Sequence, residues 1–155
     1  LFLAARGYQV DAVDRDEATL SQIAASAAAK NLPGIKTRTI DMEQPAPFDP
    51  GFGHETYDVI IVFFYLHRPL FPFLIDALKP GGVLIYETFT IDNYTHHKHP
   101  RRWEFCLSHN ELLRMTSTLQ VLHYDEGPHD GVEGPRSTYT AQLVAQTPLR
   151  SAHSI

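Results

Sequence analysis

The ten residues YDVIIVFFYL, Tyr57 to Leu66, constrain the fold more than any other stretch. A strand with one wet face alternates polar and apolar side chains, but after Asp58 this one offers only branched and aromatic residues. It is therefore expected to be buried on both faces, as strands are inside parallel sheets covered by helices. The residues that follow agree. Pro69 opens a helix, PLFPFLIDALK, with Leu70, Phe73, Leu74 and Leu78 as its apolar stripe. KPGG stops that helix, and VLIYETF is the next strand. Strand, helix and strand in about thirty residues make a parallel crossover unit.

The flanking segments extend the pattern. LFLAAR reads as the end of a helix closed by Gly7, YQVDAVD as a short strand, and EATLSQIAASAAAKN as a helix capped by Asp16. Leu20, Ile23, Ala24 and Ala27 share one face of that helix, and NLPG ends it. IKTRTI is a further strand, followed by the turn DMEQPAP. A histidine-rich loop is expected from Asp92 to Phe105. After it, SHNE forms a capping box in which Ser108 and Glu111 satisfy the first donors of ELLRMTS. LQVLHYDE and STYTAQLVAQ close the chain as two strands joined by the hairpin loop GPHDGVEGPR. The fold class is thus α/β, a mostly parallel sheet with helices on both faces and an antiparallel C-terminal hairpin. One domain is expected over 1–148, with a loose tail over 149–155.

Thirteen basic against eighteen acidic residues give a net charge of -5, which argues against a nucleic-acid backbone as the partner. Arg101, Arg102 and Trp103 are one basic-aromatic cluster in an acidic chain and do not reverse that. The single cysteine, Cys106, excludes an internal disulfide and points to a reducing compartment, the cytoplasm. No apolar run is long enough for a membrane helix, and LFLAARGYQV lacks the pattern of a signal peptide. Position 1 is Leu rather than Met, so the chain is expected to begin inside a longer one.

In open α/β sheets ligands sit beyond the carboxyl ends of the strands. The turns of interest are therefore Asp14–Asp16, Asp41–Glu43, Phe63–Arg68 and Thr88–Asn93. With FDPGFGHETYDVIIVFFYLHRPLFPFLIDALKPGGVLIYETFT as its most specific block, the chain resembles the class I S-adenosylmethionine-dependent methyltransferases. Among them it is most similar to small bacterial members of tellurite-resistance type. The resemblance implies a Rossmann-like three-layer sandwich and S-adenosylmethionine as cofactor. It implies that Asp14, with Arg15 beside it, accepts from the ribose hydroxyls, a task suited to an acceptor-only carboxylate. Asp41 and Met42 would meet the adenine, and Phe63, Phe64 and Tyr65 the methionine portion. The family's first strand and glycine-rich turn are missing upstream of Gly7, and Gly51–Phe52–Gly53 has the wrong context to replace them. A sheet lacking its first strand would expose a hydrophobic slot that favours self-association.

The substrate side is expected at Arg68, which could hold an anion, and at Thr88, Thr90, Asn93 and Tyr94. Each has a plainer reading: Arg68 paired with a carboxylate, the others as exposed loop polarity. Tyr65 and His67 are the candidates for a general base. His96, His97 and His99 lack the ligand spacing of a zinc site, so no metal is expected. Cys106 has no activating neighbour and is expected to be inert. The reading is methyl transfer to a small molecule. A non-catalytic binding or assembly module of the same fold and an NAD-dependent dehydrogenase stand as alternatives, the first supported by the missing glycine turn.

Overall fold

A computed structural model describes residues 1–45, 47–130 and 137–149. Most of the hairpin loop, at 131–136, and all but Leu149 of the expected tail lie outside the described residues. The chain divides into two compact units, Leu1–Pro50 and Gly51–Ile155.

In the first unit, Ala4–Arg6 is a 3₁₀ turn, where the sequence promised the end of a longer helix. Gly7 closes it in the left-handed region at φ 87°, a conformation that favours glycine. Strand β1, Val10–Asp14, pairs in parallel with β2, Ile35–Thr39, in the register Val10↔Ile35 to Asp14↔Thr39. Helix α1, Glu17–Ala29, crosses between them, and Asp16 caps it as expected. One Asp16 oxygen accepts from the N–H groups of Ala18 and Thr19, and the Thr19 hydroxyl donates to the other at 2.7 Å. That hydroxyl and the two N–H groups hold the Asp16 carboxyl below its ordinary range. Of the expected apolar face, Leu20 and Ala27 are buried and Ile23 is half-buried, but Ala24 is exposed.

The second unit is a four-stranded sheet in the order β3-β4-β6-β5, with β3 at Tyr57–Phe63, β4 at Leu78–Phe89, β5 at Gln120–His129 and β6 at Thr138–Gln146. β3 runs parallel to β4; β6 is antiparallel to both β4 and β5, which confirms the terminal strand pair. Parallel and antiparallel pairings are therefore equal in number, two of each, among the described strands. The KPGG segment is a bulge: β4 pairs at Leu78 with Tyr57 and resumes at Val83 with Val59. Gly82 is obligatory there, because an added Cβ would lie 2.8 Å from the Lys79 carbonyl oxygen.

Helix α2, Phe71–Ala77, follows a 3₁₀ turn at Arg68–Leu70 and is shorter than the sequence pattern implied. Its Phe71 ring lies 5.0 Å from that of Tyr86 on β4. Leu84, Tyr86 and Thr88 on β4 stand opposite Ala145, Leu143 and Ala141 on β6, and all six are buried. That alternation is the core of the unit.

Three expectations need correction. The 92–105 loop is partly helical: α3 spans Ile91–His97 and a 3₁₀ turn covers Trp103–Phe105. Thr95 Oγ1 donates back to the Ile91 carbonyl, and Lys98 in the left-handed region ends α3. The capping box is half made. Glu111 Oε2 accepts from the Ser108 N–H at 2.7 Å, but helix α4, Glu111–Met115, starts from a left-handed Asn110 whose side chain makes no cap bond. Finally, β3 is not buried on both faces. Val59, Ile61 and Phe63 are 43%, 40% and 55% exposed. Each of β1 and β3 has a single strand neighbour among the described residues.

Candidate functional site

The carboxyl ends of β1 and β2 present two carboxylates built alike. Asp14 ends β1, and its Oδ1 accepts from the Asp16 N–H at 3.0 Å. Asp41 lies just past β2, and its Oδ1 accepts from the Glu43 N–H at 3.0 Å. Each turn thus fixes one oxygen by the residue two places on, and the second oxygen of each has no hydrogen bond among the described residues. Both side chains are exposed. Arg15 reaches Glu43 at 3.5 Å, an exposed pair of little energetic weight that bridges the two turns. Met42 between them is half-buried. A depression of about 520 Å³ lined by Ala24, Ala27, Ala28, Leu32 and Pro33 lies at the far end of α1 from Asp14. Those lining residues carry no titratable group, so the chemistry of this unit sits at the aspartates.

In the second unit the strand ends behave differently. Phe64 breaks the alternation of β3 with φ at 53°, and its N–H donates to the Glu87 carbonyl at 2.8 Å. Phe63 and Phe64 are exposed and Tyr65 is half-buried, so none of the three is core; Leu66 is the first buried side chain. That corrects the expectation that this stretch is buried on both faces. The Phe64 ring rests 5.1 Å from Phe89, and the Tyr65 carbonyl accepts from the Tyr86 hydroxyl at 2.5 Å. Burial pushes the Tyr86 phenol well above the usual tyrosine range. His67 precedes the 3₁₀ turn, where its carbonyl accepts from Leu70, and no hydrogen bond orients its ring among the described residues.

Arg68 is committed to structure. Its Nε and Nη2 grip both oxygens of Glu111 at 2.5 and 3.0 Å, Nη2 also reaches the Cys106 carbonyl, and Nη1 the Glu104 carbonyl. Four of the five guanidinium N–H groups are used in this way, which corrects its nomination as an anion holder. The pairing holds the Glu111 carboxyl below its ordinary range and raises Arg68 further. Cys106 is buried, and desolvation raises its thiol, consistent with an inert residue.

Thr88, Thr90 and Asn93 are buried, against the reading of exposed loop polarity. Asn93 ties α3 to its surroundings, donating to the His99 carbonyl at 2.8 Å and accepting from the Tyr139 N–H at 3.0 Å. Thr90 Oγ1 donates to the Tyr139 carbonyl. These residues hold the wall rather than line its surface. Tyr94 is half-buried under Lys98, whose ammonium lies 5.1 Å from the ring centroid. His96 stacks on Tyr139, and His97 meets the Ser137 carbonyl. Arg102 pairs with Glu104 and lies over the Phe105 ring, so the basic cluster is engaged locally. Sequence reasoning foresaw a carboxylate for Arg68 but not that it is Glu111, and it missed Glu87 and Tyr86. Only Glu87 carried a signal, as a charged residue interrupting VLIYETF.

The family profile described as "Tellurite resistance protein TehB" matches residues 1–130. The chain belongs to that family. It is an S-adenosylmethionine-dependent methyltransferase by membership, and S-adenosylmethionine is the cofactor that accompanies it. Solved structures repeat the fold. TehB from Haemophilus influenzae superposes with a TM-score of 0.73 at 20% identity, over 94% of this chain and 52% of that one. A SAM-dependent methyltransferase from Methanosarcina mazei gives 0.71 at 14% identity, over 96% and 86%. The N-methyltransferase NodS from Bradyrhizobium japonicum gives 0.64 at 15%, over 90% and 74%. The chain thus spans about half the length of the TehB structure. A search of curated proteins returns no match. The family match supports neither the dehydrogenase nor the non-catalytic module. No helix among the described residues is long and apolar enough to cross a membrane.

Proposed function

We propose that residues 1–148 act as one methyltransferase-like domain that passes the methyl group of S-adenosylmethionine to a small-molecule acceptor. The observation that carries this reading is Asp14. Its carboxylate stands at the end of a parallel strand, one oxygen fixed by the Asp16 N–H and the other open to accept. That is the donor-seeking arrangement a ribose diol requires. Asp41 has the same construction one strand over and would accept from the adenine amine, with Met42 offering its polarizable side chain to the ring. Phe63, Phe64 and Tyr65 would border the methionine portion. When bound, the cofactor supplies an electrophilic methyl carbon. The protein's part is to align the acceptor and exclude water, which needs no strong base when the acceptor is already nucleophilic. Tyr65 and His67 stay the candidates where a proton must be taken.

In this reading the protein works in a reducing bacterial cytoplasm, and copies associate through the apolar side of β3, which sedimentation would measure. Replacing Asp14 by Ala should weaken S-adenosylmethionine binding about tenfold to a hundredfold, the worth of a charged hydrogen bond or two. Because Asp14 is exposed, circular dichroism should be unchanged. Calorimetry on both proteins decides the matter: equal affinities would remove Asp14 from the site.

A further inference from the structure

The exit of β3 holds a backbone conformation that its own residue resists. Five non-glycine residues among those described have φ in the left-handed region, and four of them, Asn31, Glu55, Lys98 and Asn110, are polar. The fifth is Phe64, at 53°. A bulky side chain is strained there, and such strain persists only where its surroundings impose it. Here the imposing groups belong to β4. The Phe64 N–H donates to the Glu87 carbonyl at 2.8 Å. Glu87 is pinned in turn, its Oε1 accepting from Thr140 Oγ1 at 2.9 Å and from Gln142 Nε2 at 3.0 Å on β6.

The effect is to hold an aromatic face towards water. Alternation stops, so Phe63 and Phe64 are exposed together, at 55% and 47%. Phe64 is nonetheless fixed. Its ring lies 5.1 Å from that of Phe89 at a tilt of 35°, and the His99 ring meets Phe89 at right angles, 4.9 Å away. The buried Asn93 holds the His99 carbonyl. Phe89 thus covers one side of the Phe64 ring and leaves the other to solvent. An aromatic face is the negative side of the ring's quadrupole and attracts cations. Phe2, Tyr94 and Phe105 each have a cation of this chain over the ring, supplied by Arg6, Lys98 and Arg102. Phe64 has none among the described residues. Its open face is rigidly presented and unspent.

We propose that Phe64 selects the charged form of the cofactor, its open face attracting the sulfonium of S-adenosylmethionine and releasing the sulfur once it is neutral. This rests on the methyl-transfer reading and gives Phe64 a task within it. The methyl carbon bonds to the acceptor as the carbon–sulfur electron pair returns to sulfur, so the positive charge and its attraction to the ring vanish together. Phe64 therefore favours substrate over spent product at the same place.

The test is calorimetry on the whole chain with S-adenosylmethionine and with S-adenosylhomocysteine, the neutral thioether that lacks the methyl group. Phe64→Leu keeps an apolar side chain and removes the ring. It should weaken S-adenosylmethionine relative to S-adenosylhomocysteine by about threefold to thirtyfold. Phe64→Trp, with the stronger cation-binding ring, should restore the preference. Retained binding of S-adenosylhomocysteine reports that each variant is folded. Equal losses for the two ligands in Phe64→Leu, unchanged affinities for both, or a Trp variant that behaves as the Leu variant does overturns the assignment and leaves the methyl-transfer reading standing. A parent chain that binds neither molecule overturns that reading, and the assignment with it.

Discussion

β3 and β4 lie side by side, run in the same direction and draw on much the same residues, yet they meet water very differently. Leu84 and Tyr86 on β4 are at most 1% exposed, while every second residue of β3 from Val59 to Phe63 is at least 40% exposed. Hydrophobicity does not separate them, since VIIVF is as apolar as VLIY. Neighbours do. Among the described residues β4 has a strand on each side and α2 packed on one face, whereas β3 has one strand neighbour. An apolar run records the capacity to be buried, and the ladder partners decide whether that capacity is used.

The widest margin should come from matched truncations. Leu84→Ala should cost about 3 kcal/mol in urea denaturation, as for a fully enclosed leucine. Ile61→Ala on the uncovered face of β3 should cost about 1 kcal/mol, because much of that side chain is wet already. Equal losses would break the contrast between the strands. Next in size is Arg68, which anchors the segment leaving β3 where burial does not. Arg68→Met should cost about 1–2 kcal/mol, reduced from the value for a fully buried pair because solvent reaches both partners.

That pair also carries a pH signature. The folded-state pKa of Glu111 lies below its ordinary value, so its contribution is complete above about 4.3 and is lost as pH falls through the depressed value. Acid titration of Arg68→Met should accordingly show a shallower loss of stability than the parent. The smallest effect belongs to Tyr86→Phe, about 1 kcal/mol for the hydrogen bond to Tyr65. Tyr86 has a raised folded pKa, so its contribution holds below about 10 and is lost as pH rises towards the folded value. Removing the phenol should blunt the alkaline limb of the stability curve and leave the acid limb alone.

Local chemistry was legible in the sequence where a few adjacent residues decide it. Asp16 as a cap, Gly7 as a left-handed terminator and the last two strands were all readable from composition and spacing. Asp14 and Asp41 could be placed at strand ends for the same reason. What escaped depended on partners far along the chain. Nothing near Arg68 announces Glu111, nothing near Glu87 announces Thr140, and the exposure of β3 is a fact about strands that do not flank it. The burial of Thr88 and Asn93 escaped likewise, because Tyr139 and His99 supply the hydrogen bonds that make polar burial tolerable for Asn93.

The grip of Arg68 on Glu111 spans 43 positions of sequence. Closing a loop of that size costs about 3 kcal/mol of chain entropy before any contact repays it. Refolding should therefore shape the mouth of β3 late, after β4 and the segment up to α4 have come home. A nascent chain released only as far as residue 100 would hold the apolar strand already made and its exit still unformed.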